Sequence, residues 1–156
     1  MLTYDGRLHP LLGDQMCKAM LPIANRPMLY YCLQMIESAG ISQIIVIAQP
    51  DDAEPISNYL SKVYEHQRTE TRIEMRTTTG DSADAIRVAK ELITADFLVM
   101  SCDVMTNMPL LPLVDQFRLH RPTVAVLLSE LPRLETSSAQ VDKHTLKSTF
   151  RMRWCV

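Results

Sequence analysis

The run QIIVIA (43–48), followed by QPDDAEPISNYLSKVYEH (49–66) and TRIEM (71–75), decides the fold. QIIVIA is short, apolar and rich in β-branched residues, the pattern of a parallel strand buried on both faces. The next stretch opens on turn residues. Asp51 or Asp52 is expected to cap a helix, with Pro55 in its first turn. The apolar stripe of that helix is Ile56, Tyr59, Leu60, Val63 and Tyr64. TRIEM alternates and reads as an outer strand. Strand, helix and strand in this order make a βαβ unit, which calls for a parallel sheet.

The same alternation extends in both directions. PMLYYCLQMIESAG (27–40) is a predicted helix with Leu29, Cys32, Leu33 and Ile36 at helical spacing. Pro27 suits its first helical position, and Gly40 suits a left-handed residue just past its end. TTTGDS (77–82) is a loop, and ADAIRVAKELI (83–93) an amphipathic helix with Ile86, Val88, Ala89, Leu92 and Ile93 as core positions. DFLVMS (96–101) and TVAVLL (123–128) read as further buried strands, separated by a helix at 109–120 that Pro109 opens. The expected fold is α/β, an open, mostly parallel sheet with helices on both faces, over residues 1–128. From residue 129 the periodicity stops. Residues 129–156 read as a divergent, disordered tail with a basic end formed by Lys143, Lys147, Arg151 and Arg153.

Bulk properties exclude several classes. The chain has 156 residues and a net charge of −2, so no broad positive field invites nucleic acid or an anionic membrane. No apolar run approaches the roughly 20 residues that cross a bilayer. The stretch MLTYDGRLHP lacks the basic and apolar segments of a secretory leader. The cysteines, Cys17, Cys32, Cys102 and Cys155, form no C-x-x-C pair, so reduced thiols in the cytosol are expected.

Asp103 raises the question of function. It follows FLVMSC, at the carboxyl end of a predicted strand, and ligands of open parallel sheets bind on that rim. A carboxylate there can be a loop cap or half of a Mg²⁺ site, since Mg²⁺ takes few protein carboxylates and completes its shell with phosphates and waters.

The wider constellation points to a family. Arg7-Leu8, KAMLPIANRPML (18–29), GDSADAI (80–86) and SCDVMTNMPL (101–110) occur in order. The set resembles the sugar-nucleotide pyrophosphorylase superfamily of nucleotidyltransferases, and within it the gamma subunits of eukaryotic translation initiation factor two B. The resemblance spans about residues 7 to 128. It implies a nucleotidyltransferase, Rossmann-like fold. It places Lys18 facing phosphates, Arg7 at the close of the glycine loop, and Ser82, Ala83, Asp84 and Ala85 at the nucleobase-side turn. It makes Asp103 the metal aspartate.

Several positions depart from that pattern. Phosphate loops need glycines so that backbone N–H groups can close on the anion. The loop glycines would fall at Thr3 and Asp5, and Gly6 stands where Ser or Thr is usual. A carboxylate about 4 Å from a phosphate at an effective dielectric of about 20 costs about 4 kcal/mol. Ala19 replaces the usual Pro, and no second metal aspartate aligns. Arg7, Lys18, Ser82, Ala83, Asp84 and Asp103 are therefore expected to be vestigial.

The family also has a first strand, which lies centrally between those at 43–48 and 96–101 and is expected to be missing here. A chain truncated at both ends would leave unpaired edges in mid-sheet, unless 43–48 and 96–101 close up and pair directly.

The expected function is that of a non-catalytic subunit of the guanine-nucleotide exchange factor for initiation factor two. Its expected partners are the other subunits, an epsilon-like one above all, and initiation factor two itself, with no cofactor, no nucleic acid and no membrane. Nucleotidyl transfer with Mg²⁺ and nucleotide, or a non-functional fragment, are the alternatives.

Overall fold

The computed structural model describes residues 17–64, 69–80 and 82–128. The predicted tail at 129–156 and Arg7 lie outside them.

A 3-10 turn (Lys18–Met20) leads into a tight hairpin of β1 (Pro22–Ile23) and β2 (Arg26–Pro27), paired antiparallel. Ala24 and Asn25 close it with φ of 48° and 64°, the left-handed pair that a two-residue hairpin favours. Helix α1 (Met28–Ser38) follows directly, and Pro27 caps it rather than entering it. Gly40 takes φ 81° just beyond the end, as its lack of a Cβ allows. The Tyr31 hydroxyl donates to the Ile23 carbonyl at 2.7 Å, which fastens the hairpin to α1.

The βαβ unit forms as expected. β3 (Gln43–Ala48) and β4 (Arg72–Thr77) pair in parallel, Ile44 opposite Ile73 and Val46 opposite Met75. Helix α2 (Pro50–Lys62) joins them. Its start is two or three residues earlier than predicted. Gln49 is the cap, Pro50 the first helical residue, and Pro55 lies inside the helix. Pro50 wins because its fixed φ and missing N–H suit the first position, and Asp51 and Asp52 then fall in the first turn, where the helix dipole favours them.

One apolar cluster joins α1, β3 and α2: Leu29 and Leu33, Ile44 and Ala48, Ile56 and Tyr59, with Tyr64 just beyond α2. Val63, expected in the stripe, is 65% exposed. The helix ends at Lys62, so Val63 leaves the helical period and Tyr64 is buried in its place.

Beyond β4 the prediction holds less well. Helix α3 covers Ser82–Ala89 and stops short of residue 93. Its buried face is Ala85 and Ala89, one turn apart, whereas Ile86 and Val88 are exposed. Helix α4 (Leu111–His120) is capped by Leu110, with Pro112 in its first turn rather than Pro109. Leu110, Val104 and Ala39 form a second cluster with parts of Met35, Ile36, Leu98, Met100 and Leu127.

The strands predicted at 96–101 and 123–128 carry no ladder; the only pairings among the described residues are β1–β2 and β3–β4. Apolar runs form strands only where a neighbouring backbone supplies hydrogen bonds, and 96–101 does not pair with β3. A cleft lies between them instead. Leu29, Cys32, Leu33 and Ile36 of α1 line it together with Ile44–Ile47 and Met100–Cys102, around a narrow space of about 70 Å³. Direct closure of the two runs, one of the expectations above, does not occur. The architecture remains α/β with a parallel ladder, and α1 packs against both apolar clusters.

Candidate functional site

Asp103 sits where the chain emerges from the interior. Its neighbours Cys102 and Val104 are both buried, one in each apolar cluster. The Cys32 thiol of α1 lies 3.1 Å from the Cys102 carbonyl and 3.3 Å from that of Val104, so α1 fixes this loop directly. Burial of both flanking side chains leaves the Asp103 carboxylate turned out of the core.

Lys18 is placed by the same device. Cys17 and Ala19 on either side of it are buried in the first cluster. Ala19, which stands where the superfamily has Pro, is fully buried. The lysine is thereby aimed away from the core, and it meets Asp103.

Lys18 Nζ donates to Asp103 Oδ2 at 2.6 Å, the short end of a charge-assisted contact. The side chains are 20% and 17% exposed. The Ser101 hydroxyl donates to Oδ1, the other carboxylate oxygen. Burial alone pushes the Asp103 carboxyl up, but hydrogen bonds from Lys18 and Ser101, with the Lys18 charge, hold it below its ordinary value. Both oxygens are thus engaged by donors from the chain itself.

This arrangement leaves a divalent cation no unengaged carboxylate oxygen. Mg²⁺ takes only one or two protein carboxylates, and here Asp103 Oδ2 is held by the Lys18 ammonium and Oδ1 by the Ser101 hydroxyl. Among the described residues no group of three or more His, Cys, Asp or Glu side chains could hold a metal ion.

Among the described contacts the predicted nucleobase turn makes no hydrogen bond or ion pair with Lys18 or Asp103. Ser82–Ala85 form the first turn of α3, with Ala83 exposed and Ala85 buried. The Asp84 carboxylate accepts from Arg87 Nη1 at 2.7 Å, one helical turn along, and not from Lys18. Gly80 is required here. A Cβ on it would lie 2.6 Å from Asp84 Cβ, so the loop passes too close to α3 for any side chain. A larger surface cleft, lined by Asp96, Phe117, Arg118, Arg121 and Pro122, includes none of the predicted site residues.

Cys17, Cys32 and Cys102 are free and buried. Burial first, with hydrogen bonding to the Val104 backbone opposing and the Asp103 charge adding, pushes the Cys32 thiol up to about 12. Burial likewise raises Cys102. These thiols act as small apolar groups, not nucleophiles. The sequence reading missed Glu37, which is fully buried on α1 beside Tyr64. Burial, followed by the Glu37 charge, raises the Tyr64 hydroxyl. Only the period of α1 could have flagged Glu37, since it follows Leu33 by one turn.

Comparison with known proteins decides the family. The profile of the nucleotidyl transferase family matches residues 5–137. The chain belongs to this family. It is 36% identical over 142 residues to translation initiation factor eIF2B subunit gamma of Schizosaccharomyces pombe, covering 88% of this chain and 31% of that protein. It is 27% identical to the gamma subunit of Caenorhabditis elegans, over 80% of this chain and 32% of the relative. It is also 29% identical to the epsilon subunit of Schizosaccharomyces pombe, over 76% of this chain and 18% of the relative. The chain therefore spans a third or less of these relatives. The resemblance to gamma subunits drawn from 7–128 is borne out. A solved structure of a candidate glucose-1-phosphate thymidylyltransferase from Bacillus anthracis superposes with TM-score 0.71 at 21% identity, over 81% of this chain and 51% of that one. This bears out the nucleotidyltransferase α/β fold.

Proposed function

We propose that this nucleotidyl transferase-family chain works without chemistry, as a gamma-like part of a guanine-nucleotide exchange assembly in translation initiation. One observation carries the non-catalytic half of that reading. The two side chains that a transferase would direct at phosphates and at a cation are directed at each other, Lys18 Nζ on Asp103 Oδ2 at 2.6 Å. Transfer needs donors and a cation aimed at developing phosphate charge. A lysine spent on its own aspartate supplies neither. The similarity to eIF2B gamma and epsilon subunits supports the assembly half. The partners are then the other subunits, an epsilon-like one foremost, and initiation factor two, in the cytosol, with no cofactor of its own.

The test has two arms. Tagged chain is recovered from its native cells and its companions identified; an exchange-factor subunit set supports the proposal, and chaperones alone refute it. Purified chain is incubated with each nucleoside triphosphate, Mg²⁺ and common sugar phosphates while pyrophosphate is followed. No release is expected. Release that vanishes in Asp103→Ala would establish the transferase reading, which family membership favours.

A further inference from the structure

We infer that the Lys18 ammonium stands in for a divalent cation on Asp103, so that this carboxylate accepts no such ion until the lysine is removed. The pairing is built, not incidental. Lys18 lies between buried Cys17 and Ala19, and Asp103 between buried Cys102 and Val104, so packing of the neighbours fixes the backbone at both positions and sets the two side chains facing each other. The contact is 2.6 Å long and both partners are mostly covered, which limits solvent screening. Ser101 occupies the remaining oxygen. The ammonium supplies positive charge and donors where a cation would supply charge and accept oxygens. A dication arriving beside it meets a neutralised carboxylate and a like charge, and both disfavour binding.

Two consequences follow. The ion pair couples the 3-10 turn of one apolar cluster to the loop entering the other, across a sequence separation of 85 residues. The carboxylate also stays charged and satisfied with no ion bound, so the loop keeps its shape at any free Mg²⁺ concentration. Removing the ammonium while keeping its apolar stem would leave Asp103 and the Ser101 hydroxyl as oxygen donors facing a small gap that an oxygen-preferring ion suits.

Mn²⁺ alone is the probe, read by electron paramagnetic resonance and by paramagnetic broadening of the amides of residues 101–104, on the full chain. Wild type should bind at least about tenfold more weakly than Lys18→Met, a difference of about 1.4 kcal/mol. Lys18→Arg, which keeps the charge, should gain nothing. The double variant with Lys18→Met and Asp103→Asn should lose what the single one gained. Lys18→Gln serves if Lys18→Met fails to fold, and a cooperative melt certifies each variant. Wild-type broadening at 101–104 at the same Mn²⁺ concentrations as Lys18→Met would overturn the inference. So would a folded Lys18→Met or Lys18→Gln that binds no Mn²⁺, since the pair would then be a brace only. The inference concerns the same site as the proposed function but fails separately, because Mn²⁺ binding does not depend on which proteins co-purify.

Discussion

The two sides of α1 differ in how their apolar runs are satisfied. On one side QIIVIA becomes a strand, because β4 lies beside it and exchanges backbone hydrogen bonds along six residue pairs. The ladder continues past both ends, with Arg72 N donating to Ser42 O at 2.8 Å and Thr78 N to Ala48 O at 3.0 Å. On the other side FLVM and TVAVLL are equally apolar, yet neither forms a ladder among the described residues. The first is half-buried; the second exposes Val124, Val126 and Leu128. An apolar sequence alone does not make a strand. The backbone must find a partner, and among the described residues a narrow cleft over α1 lies between 96–101 and β3, which do not pair.

The largest effect should come from the well-packed side. Leu33 is 2% exposed in the cluster shared by α1, β3 and α2. Leu33→Ala should cost about 2–5 kcal/mol through lost burial and the cavity left behind. Chemical denaturation checks it, and a cost below about 1 kcal/mol would mean that this side is no better packed than the other.

Asp103→Asn addresses the link between the sides. It leaves the Lys18 ammonium without its carboxylate in a mostly covered position, at a cost of about 1–3 kcal/mol. The pH dependence has a definite sign. The folded Asp103 carboxyl sits below its ordinary value of 3.8. A depressed carboxyl stabilises the fold above the unfolded pKa, and this contribution is lost as pH falls through the folded one. The gap in Tm between wild type and variant should be full at neutral pH and close only below pH 3.8. A gap that persists unchanged in acid would assign the cost to packing rather than charge.

The smallest effect belongs to the unladdered side. Leu128 is 73% exposed. Leu128→Ser should change stability by no more than about 0.5 kcal/mol, as surface substitutions do. A loss of 2 kcal/mol or more, about the cost of an emptied core position, would show that 123–128 is held by packing and would erase the contrast.

Much of the site was legible for a simple reason. Lys18 and Asp103 are each a lone charge between small or apolar neighbours, and such residues are expected to leave the core at a defined place. Their meeting was not legible, because a separation of 85 residues is closed only by α1 packing on both clusters. The same holds for Asp84, whose neighbours in sequence point to a nucleotide turn and whose observed partner is Arg87 on its own helix.

The amino-acid sequence by itself determined the local order: Pro27 and Gly40 bounding α1, the parallel βαβ unit from 43 to 77, and the nucleotidyltransferase family. These rest on backbone restrictions and side-chain periods within a few residues of each other. Only the tertiary structure decided which apolar runs pair, that Val63, Ile86 and Val88 face solvent, and that Lys18 closes on Asp103. Those outcomes depend on which surfaces are left to pack against, and burial and backbone pairing are properties of two segments at once, never of one.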